Sequence, residues 1–149
     1  MYTINGLHVI YMAKVLLEKM LKRKKKSAIV VTSSGLARVA MPGIISYCST
    51  KVLVSRFCES IAHEVGDKVD VMAWEAGAIT TNMNPSTGVM SLTAPTAVKA
   101  CLRQIGYETR TRGHWWHELQ SLMFSLFYMP LFGRMIAQSI RQKYKDKSQ

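Results

Sequence analysis

Ser27-Ala-Ile-Val-Val-Thr-Ser-Ser-Gly35, followed by Tyr47-Cys-Ser-Thr-Lys51, is the stretch on which the fold turns. Its first part is a short, continuous apolar run rich in β-branched residues. Such a run suits a strand buried on both faces in a parallel sheet. Tyr47 and Lys51 are four apart, so on a helix they share one face and their side chains can meet. A tyrosine held beside an ammonium group ionises more easily and can give or take a proton near neutral pH. Ser34 follows the apolar run, and its hydroxyl can hydrogen-bond a carbonyl oxygen. Together the three form an acid and an oxyanion stabiliser suited to reducing a ketone by hydride transfer.

The flanking sequence supplies the rest of the fold. Residues 3–21 place Ile4, Leu7, Ile10, Tyr11, Val15 and Leu16 at helical spacing, which predicts an amphipathic helix. Residues 36–46 contain Pro42-Gly43 and read as a loop. Residues 47–65 read as a second helix, with Gly66 placed to end it. Residues 69–74 read as a second strand. Residues 77–93 read as a loop, residues 94–106 as a helix opened by Pro95, and residues 113–117 as a short final strand. Helix, strand, helix, strand with short connections predicts a parallel α/β sheet.

The same residues carry a family resemblance. Ser27 to Gly35, then Tyr47-x-x-x-Lys51, resembles the active-site region of short-chain dehydrogenases/reductases. Ile4-Asn5-Gly6 is similar to the helix bearing that family's catalytic asparagine. Trp74-Glu-Ala-Gly-Ala-Ile-Thr-Thr81 resembles its Pro-Gly-x-x-x-Thr loop under the nicotinamide. The resemblance covers roughly Asn5 to Thr81 and implies Asn5, Ser34, Tyr47 and Lys51 as catalytic residues. It further implies that Tyr47, Lys51, Gly77, Ile79 and Thr81 bind the cofactor. By the resemblance, the backbone of Asn5 holds a water that relays protons from Lys51. Lys51 would bind the nicotinamide ribose, and Thr81 the nicotinamide amide or a cofactor phosphate. Ala76 departs from the family's proline, and Glu75 adds a charge to that loop; both bear on cofactor positioning.

Each residue also has a plainer reading. Tyr47 could be an aromatic at a helix start, Lys51 a surface lysine, and Asn5 a helix N-cap. Ser34 could be a strand-ending turn serine, and the Ser33-Ser34 pair leaves one residue of ambiguity. No G-x-x-x-G-x-G turn for a pyrophosphate occurs in the chain. The expectation is therefore the carboxy-terminal half of a Rossmann-like doubly wound sheet, in a truncated product or gene model. Alone it would be inactive, and its first strand would present an open apolar edge.

The 149 residues fit one domain, and 48% hydrophobic content suffices for a core. The formal charge of +11 comes from 20 Lys and Arg against 9 Asp and Glu. It concentrates at residues 22–26 and 134–147. A basic balance suits nucleic acid or anionic membrane, but the aromatics do not interleave with the lysine block, which argues against a nucleic-acid partner. The first block also reads as a solvated turn. Cys48, Cys58 and Cys101 lack metal or disulfide spacing and read as reduced packing residues. His8, His63, His114 and His117 read as surface or interface histidines.

Residues 119–133 carry no charge. At fifteen residues they are short for a span, which takes about 20, and Pro130 would kink them. Trp115, Trp116 and Tyr128 suit a membrane interface, with Arg134, Arg141 and Lys143 near anionic head groups. The other reading is a helix packed on the domain or a partner. Lys145 and Lys147 match the K-x-K-x-x form of a dilysine retrieval signal.

Two units are expected: a partial reductase domain at residues 1–113 and an aromatic, apolar tail with a basic end at residues 114–149. Arg110-Thr-Arg-Gly-His before an apolar aromatic tail resembles the microsomal branch, which includes very-long-chain 3-oxoacyl-CoA reductases and 17-beta-hydroxysteroid dehydrogenases. The resemblance implies reduction of a keto group on a lipid substrate with NADPH, NADH remaining open. It also implies a homodimer through residues 3–21 and 47–65, and the cytosolic face of the endoplasmic reticulum membrane. The alternative is a non-catalytic fragment acting as a dimerisation or binding module.

Overall fold

The two expected strands form with the expected bounds, β1 (Ser27–Thr32) and β2 (Val69–Trp74). In the computed structural model, which describes residues 1–85 and 87–146, they pair in parallel from Ser27↔Val69 to Thr32↔Trp74. The chain between them must return to the starting end of the sheet for the strands to run parallel, and a helix makes that crossover. That helix is α2 (Ile45–Val65), which starts two residues before Tyr47. Gly66, at φ +57°, ends it in a conformation that costs a glycine little.

A helical stretch precedes β1: a π-helical turn at Thr3–Leu7, then α1 (His8–Leu21). Its buried face is not the expected one. Gly6, Ala13 and Leu17 are buried, with Val9, Met20 and Leu21 packed on the core. Ile4 is 73% exposed, Tyr11 66% and Val15 57%. The helix carries apolar residues on more than one face, and small Gly6 and Ala13 allow the closer approach. Gly6 faces α2, where an added Cβ would lie 3.1 Å from Leu53 Cδ2.

The core is Val54 and Cys58 of α2 against Val69, Val71 and Ala73 of β2, with Ile29 and Val31 of β1 alongside. β1 lies at the sheet edge and alternates half-buried with exposed residues. The expectation of burial on both faces fails there: Ala28, Val30 and Thr32 point away from α2 and are uncovered. Among the described residues β1 pairs with β2 on one side only.

Beyond β2, the segment read as a loop contains a two-residue parallel ladder, β3 (Ile79–Thr80) with β4 (Leu92–Thr93). α3 (Ala94–Leu102) has Pro95 in its first turn and ends before the expected residue 106. The last strand is β5 (Arg110–Thr111), not residues 113–117, and it completes the order β1-β2-β5. Gly113, at φ +80°, turns the chain away from the sheet. The His114 side chain then accepts from Trp116 N and caps α4 (Trp115–Met123). A π-helical turn at Phe124–Tyr128 and α5 (Met129–Asp146) complete the described chain. Pro130 brings no amide hydrogen, and the helix widens just before it rather than breaking. Among the described residues no helix is long and apolar enough to cross a membrane. Lys147 lies outside the described residues.

Candidate active site

Parallel sheets present ligands at the carboxyl ends of their strands, and Lys51 reaches that end of β1. Lys51 Nζ donates to Thr32 O, the last residue of β1, at 3.0 Å. The same ammonium lies 5.8 Å from the Tyr47 ring centroid, as the four-residue spacing requires. Partial burial lowers the Lys51 pKa, because desolvation disfavours its charged form.

The two adjacent serines point in different directions. Ser33 is buried against α2, its Oγ donating to Lys51 O at 3.0 Å and sharing a 2.8 Å hydrogen bond with Ser55 Oγ. Ser33 thus fixes the α2 turn that carries Lys51. Ser34 Oγ accepts from Leu36 N at 3.2 Å, opening the 3₁₀ turn Gly35–Arg38. Ser34 lines a cavity of about 380 Å³ with Gly77, Arg112 and His117, walled by Leu36 and Phe124. Tyr47 and Lys51 are not among its lining residues.

Asn5 lies inside the π-helical turn, which packs on α2. It is not the N-cap; Tyr2 holds that position with no side-chain cap. π-helical turns free backbone carbonyls and recur at functional sites. Among the described residues no hydrogen bond joins Asn5 to Tyr47 or Lys51; Asn5 N donates to Met1 O at 2.9 Å.

The 76–81 segment runs beside Ser34, with Gly35 N donating to Ala76 O at 2.9 Å. Ile79 belongs to β3 and its carbonyl accepts from Asn84 Nδ2 at 3.1 Å. Thr81 is exposed and closes a turn with Asn84, whose N–H donates to Thr81 Oγ1 at 3.2 Å. Gly77 N donates to His117 Nδ1 at 3.3 Å.

Two residues escaped the sequence reading. Glu75 does not charge the loop: it is fully buried and turned to Arg38 and Arg110. Its Oε1 accepts from Arg110 Nε at 2.9 Å and Nη2 at 2.7 Å, while Oε2 meets Arg38. The 3₁₀ turn behind Ser34 is thereby tied to β5. His117 is 2% exposed rather than superficial. No spacing could reveal either, since both depend on partners 35 to 40 residues away. All three cysteines are buried and free, as expected. Burial pushes the Cys58 thiol up to about 12, and no described group of residues could hold a metal ion.

Residues 1–91 match the family described as short chain dehydrogenase. The match covers more than half of the chain, which belongs to that family. A short chain dehydrogenase from Burkholderia cenocepacia J2315, crystallised in complex with NADP, shares the fold with TM-score 0.70 at 21% identity. The likeness covers 89% of this chain and 58% of that one, so the chain spans little more than half of its relative's length. No curated protein matches the chain.

Proposed function

We propose that this chain is the catalytic half of an NADPH-dependent reductase acting on a keto group of a lipid, a 3-oxoacyl-CoA or a steroid. The carrying observation is Lys51 Nζ held at the end of β1 beside the Tyr47 ring. An ammonium, a phenol and the 76–81 backbone suit the ribose and amide of a nicotinamide nucleotide. Nothing in the chain suits its pyrophosphate, which needs a Gly-rich turn before a helix N-terminus. The residues therefore fit one end of the cofactor, held by Tyr47, Lys51, Gly77, Ile79 and Thr81. When bound, the dinucleotide supplies a hydride. Tyr47 delivers a proton to the developing alkoxide, Lys51 eases loss of that proton, and Ser34 donates a hydrogen bond to the same oxygen. Asn5 connects Lys51 to solvent protons. The NADP bound by the Burkholderia dehydrogenase supports NADPH over NADH.

The apolar walls of the Ser34 cavity, Leu36 and Phe124 among them, support a lipid chain and the microsomal branch. On the tail, residues 114–149, Trp115, Leu122, Leu126, Phe127 and Met135 are exposed beside Arg134 and Arg141. This supports a segment lying on an anionic membrane surface, at the cytosolic face of the endoplasmic reticulum. Ile4, Tyr11 and Val15 on the first helical stretch and Val52 on the second, all exposed, support a homodimer through residues 3–21 and 47–65. The same stripe favours a second reading, a non-catalytic dimerisation module.

Tyr47→Phe in the intact protein separates the two. It keeps the ring and removes one hydroxyl. Ketone reduction should fall about 10²- to 10⁴-fold with cofactor affinity retained, the cost of losing a positioned general acid. Near-normal turnover would sink the reductase mechanism; no turnover in either form would favour the module.

A further inference from the structure

We infer that His117 is a positioning residue that holds the Gly77–Ala78 backbone at the floor of the Ser34 cavity. The inference rests on the reductase reading for what that backbone contacts. Its geometry stands independently.

Gly77 N–H points at His117 Nδ1, 3.3 Å away. That nitrogen must therefore accept, and the ring proton sits on Nε2. Nε2–H in turn donates to Ala78 O at 3.1 Å. One neutral imidazole thus satisfies a donor and an acceptor of consecutive residues, as a neighbouring strand would. The fit leaves no slack. A Cβ on Gly77 would lie 2.6 Å from His117 Cδ2 and 2.7 Å from Cγ. Here glycine is required by close approach, not by its φ.

The helix carrying the ring is itself braced. Trp116 Nε1 donates to Val89 O at 2.8 Å, and Gln120 Nε2 donates to Met90 O at 3.1 Å. Three successive contacts of α4 therefore grip both arms of the 76–93 excursion. His117 takes the arm that passes Ser34.

Protonation would place a second N–H against the Gly77 N–H. The balance of the surroundings opposes it: burial lowers the His117 pKa most, the Ala78 and Arg112 backbone groups pull it back up, and the charges of His114 and Arg112 lower it again. Glu118, next along α4, is engaged by Arg112. Residues 76–79, which cover the ring, carry no charge, and Glu75 is turned to Arg38 and Arg110. A histidine whose folded pKa is depressed supports the fold above its unfolded value. That support is lost as pH falls below 6.5 toward the folded pKa.

Amide exchange of the full chain, followed by NMR, tests this without any cofactor. The Gly77 protection factor should be constant above pH 7 and fall below pH 6.5, with the ¹⁵N shifts of His117 reporting the Nε2–H form. In His117→Phe, which fills the space without bonding, Gly77 should exchange about five- to tenfold faster, the loss of one net hydrogen bond. Val71 and Ala73 should not change. Equal protection in the Phe variant, a pH-independent Gly77, or an Nδ1–H tautomer would overturn the proposal. If the Phe variant does not fold, the wild-type titration and tautomer decide alone. In the intact enzyme, His117→Phe should raise the substrate KM more than it lowers kcat. Failure of the Tyr47→Phe test would remove the reductase reading while leaving the amide result standing.

Discussion

Glu75 shows how much one buried carboxylate can organise. Its side chain meets Arg110, which also reaches Glu59 at 3.4 Å, and Arg38 on the turn that Ser34 opens. A buried ion pair gains little over a well-packed apolar substitute, but removing one partner strands the other. Glu75→Gln keeps the shape and removes the charge, so it should cost about 3 kcal/mol, the low end for a broken buried pair. The low end applies because Arg110 retains Glu59 and Arg38 is partly solvated. Urea unfolding would measure the loss; a change within about 0.5 kcal/mol, typical of surface substitutions, would mean the network contributes no stability. Neither Glu75 nor His117 was legible in the sequence. Each owes its burial to partners that only the sheet and the α4 docking bring near. Tyr47 and Lys51 were legible because their relation is local, one helical turn.

The same division holds for elements. β1 was legible to the residue because its β-branched run has a strong signature, and α2 because Gly66 punctuates it. β5 was not: Arg110 and Thr111 are polar, and two residues carry no periodicity. The β3–β4 ladder escaped for the same reason. The buried face of α1 was misjudged because its apolar residues exceed what one face can hold, and the choice was made by the fit of Gly6 and Ala13. On β1, the bare face and unpaired edge together form a template for association. Val30→Lys places a charge on that face without touching Ile29 or Val31. It should lower self-association of the chain with stability nearly unchanged, as light scattering across a concentration series would register. Unaltered scattering would mean that the chain associates through α1 and α2 instead.

The whole molecule poses two questions of affinity. Without a turn to cradle the pyrophosphate, the chain alone should bind NADPH weakly or not at all. Micromolar affinity by calorimetry would contradict this. The second question concerns the tail. Deleting residues 119–133 should release the protein from membranes to the soluble fraction, and replacing Lys145 and Lys147 with serine should let a tagged form leave the endoplasmic reticulum. A wild-type protein found freely soluble would end the membrane reading. A deletion form recovered only as aggregate would reassign the segment to packing against the domain.

The parallel pairing of β1 with β2 also has a consequence in time. Ser27 meets Val69, 42 residues further on (69 − 27 = 42). Closing a loop of that length costs entropy before any contact repays it. The chain between is mostly α2, which forms from neighbours and shortens the distance to be searched. β1 therefore cannot register against β2 until α2 has formed and brought β2 back beside it. During synthesis its apolar residues emerge before those of α2 and β2. The interval between the translation of Thr32 and that of Trp74 is when this chain is most open to capture by chaperones.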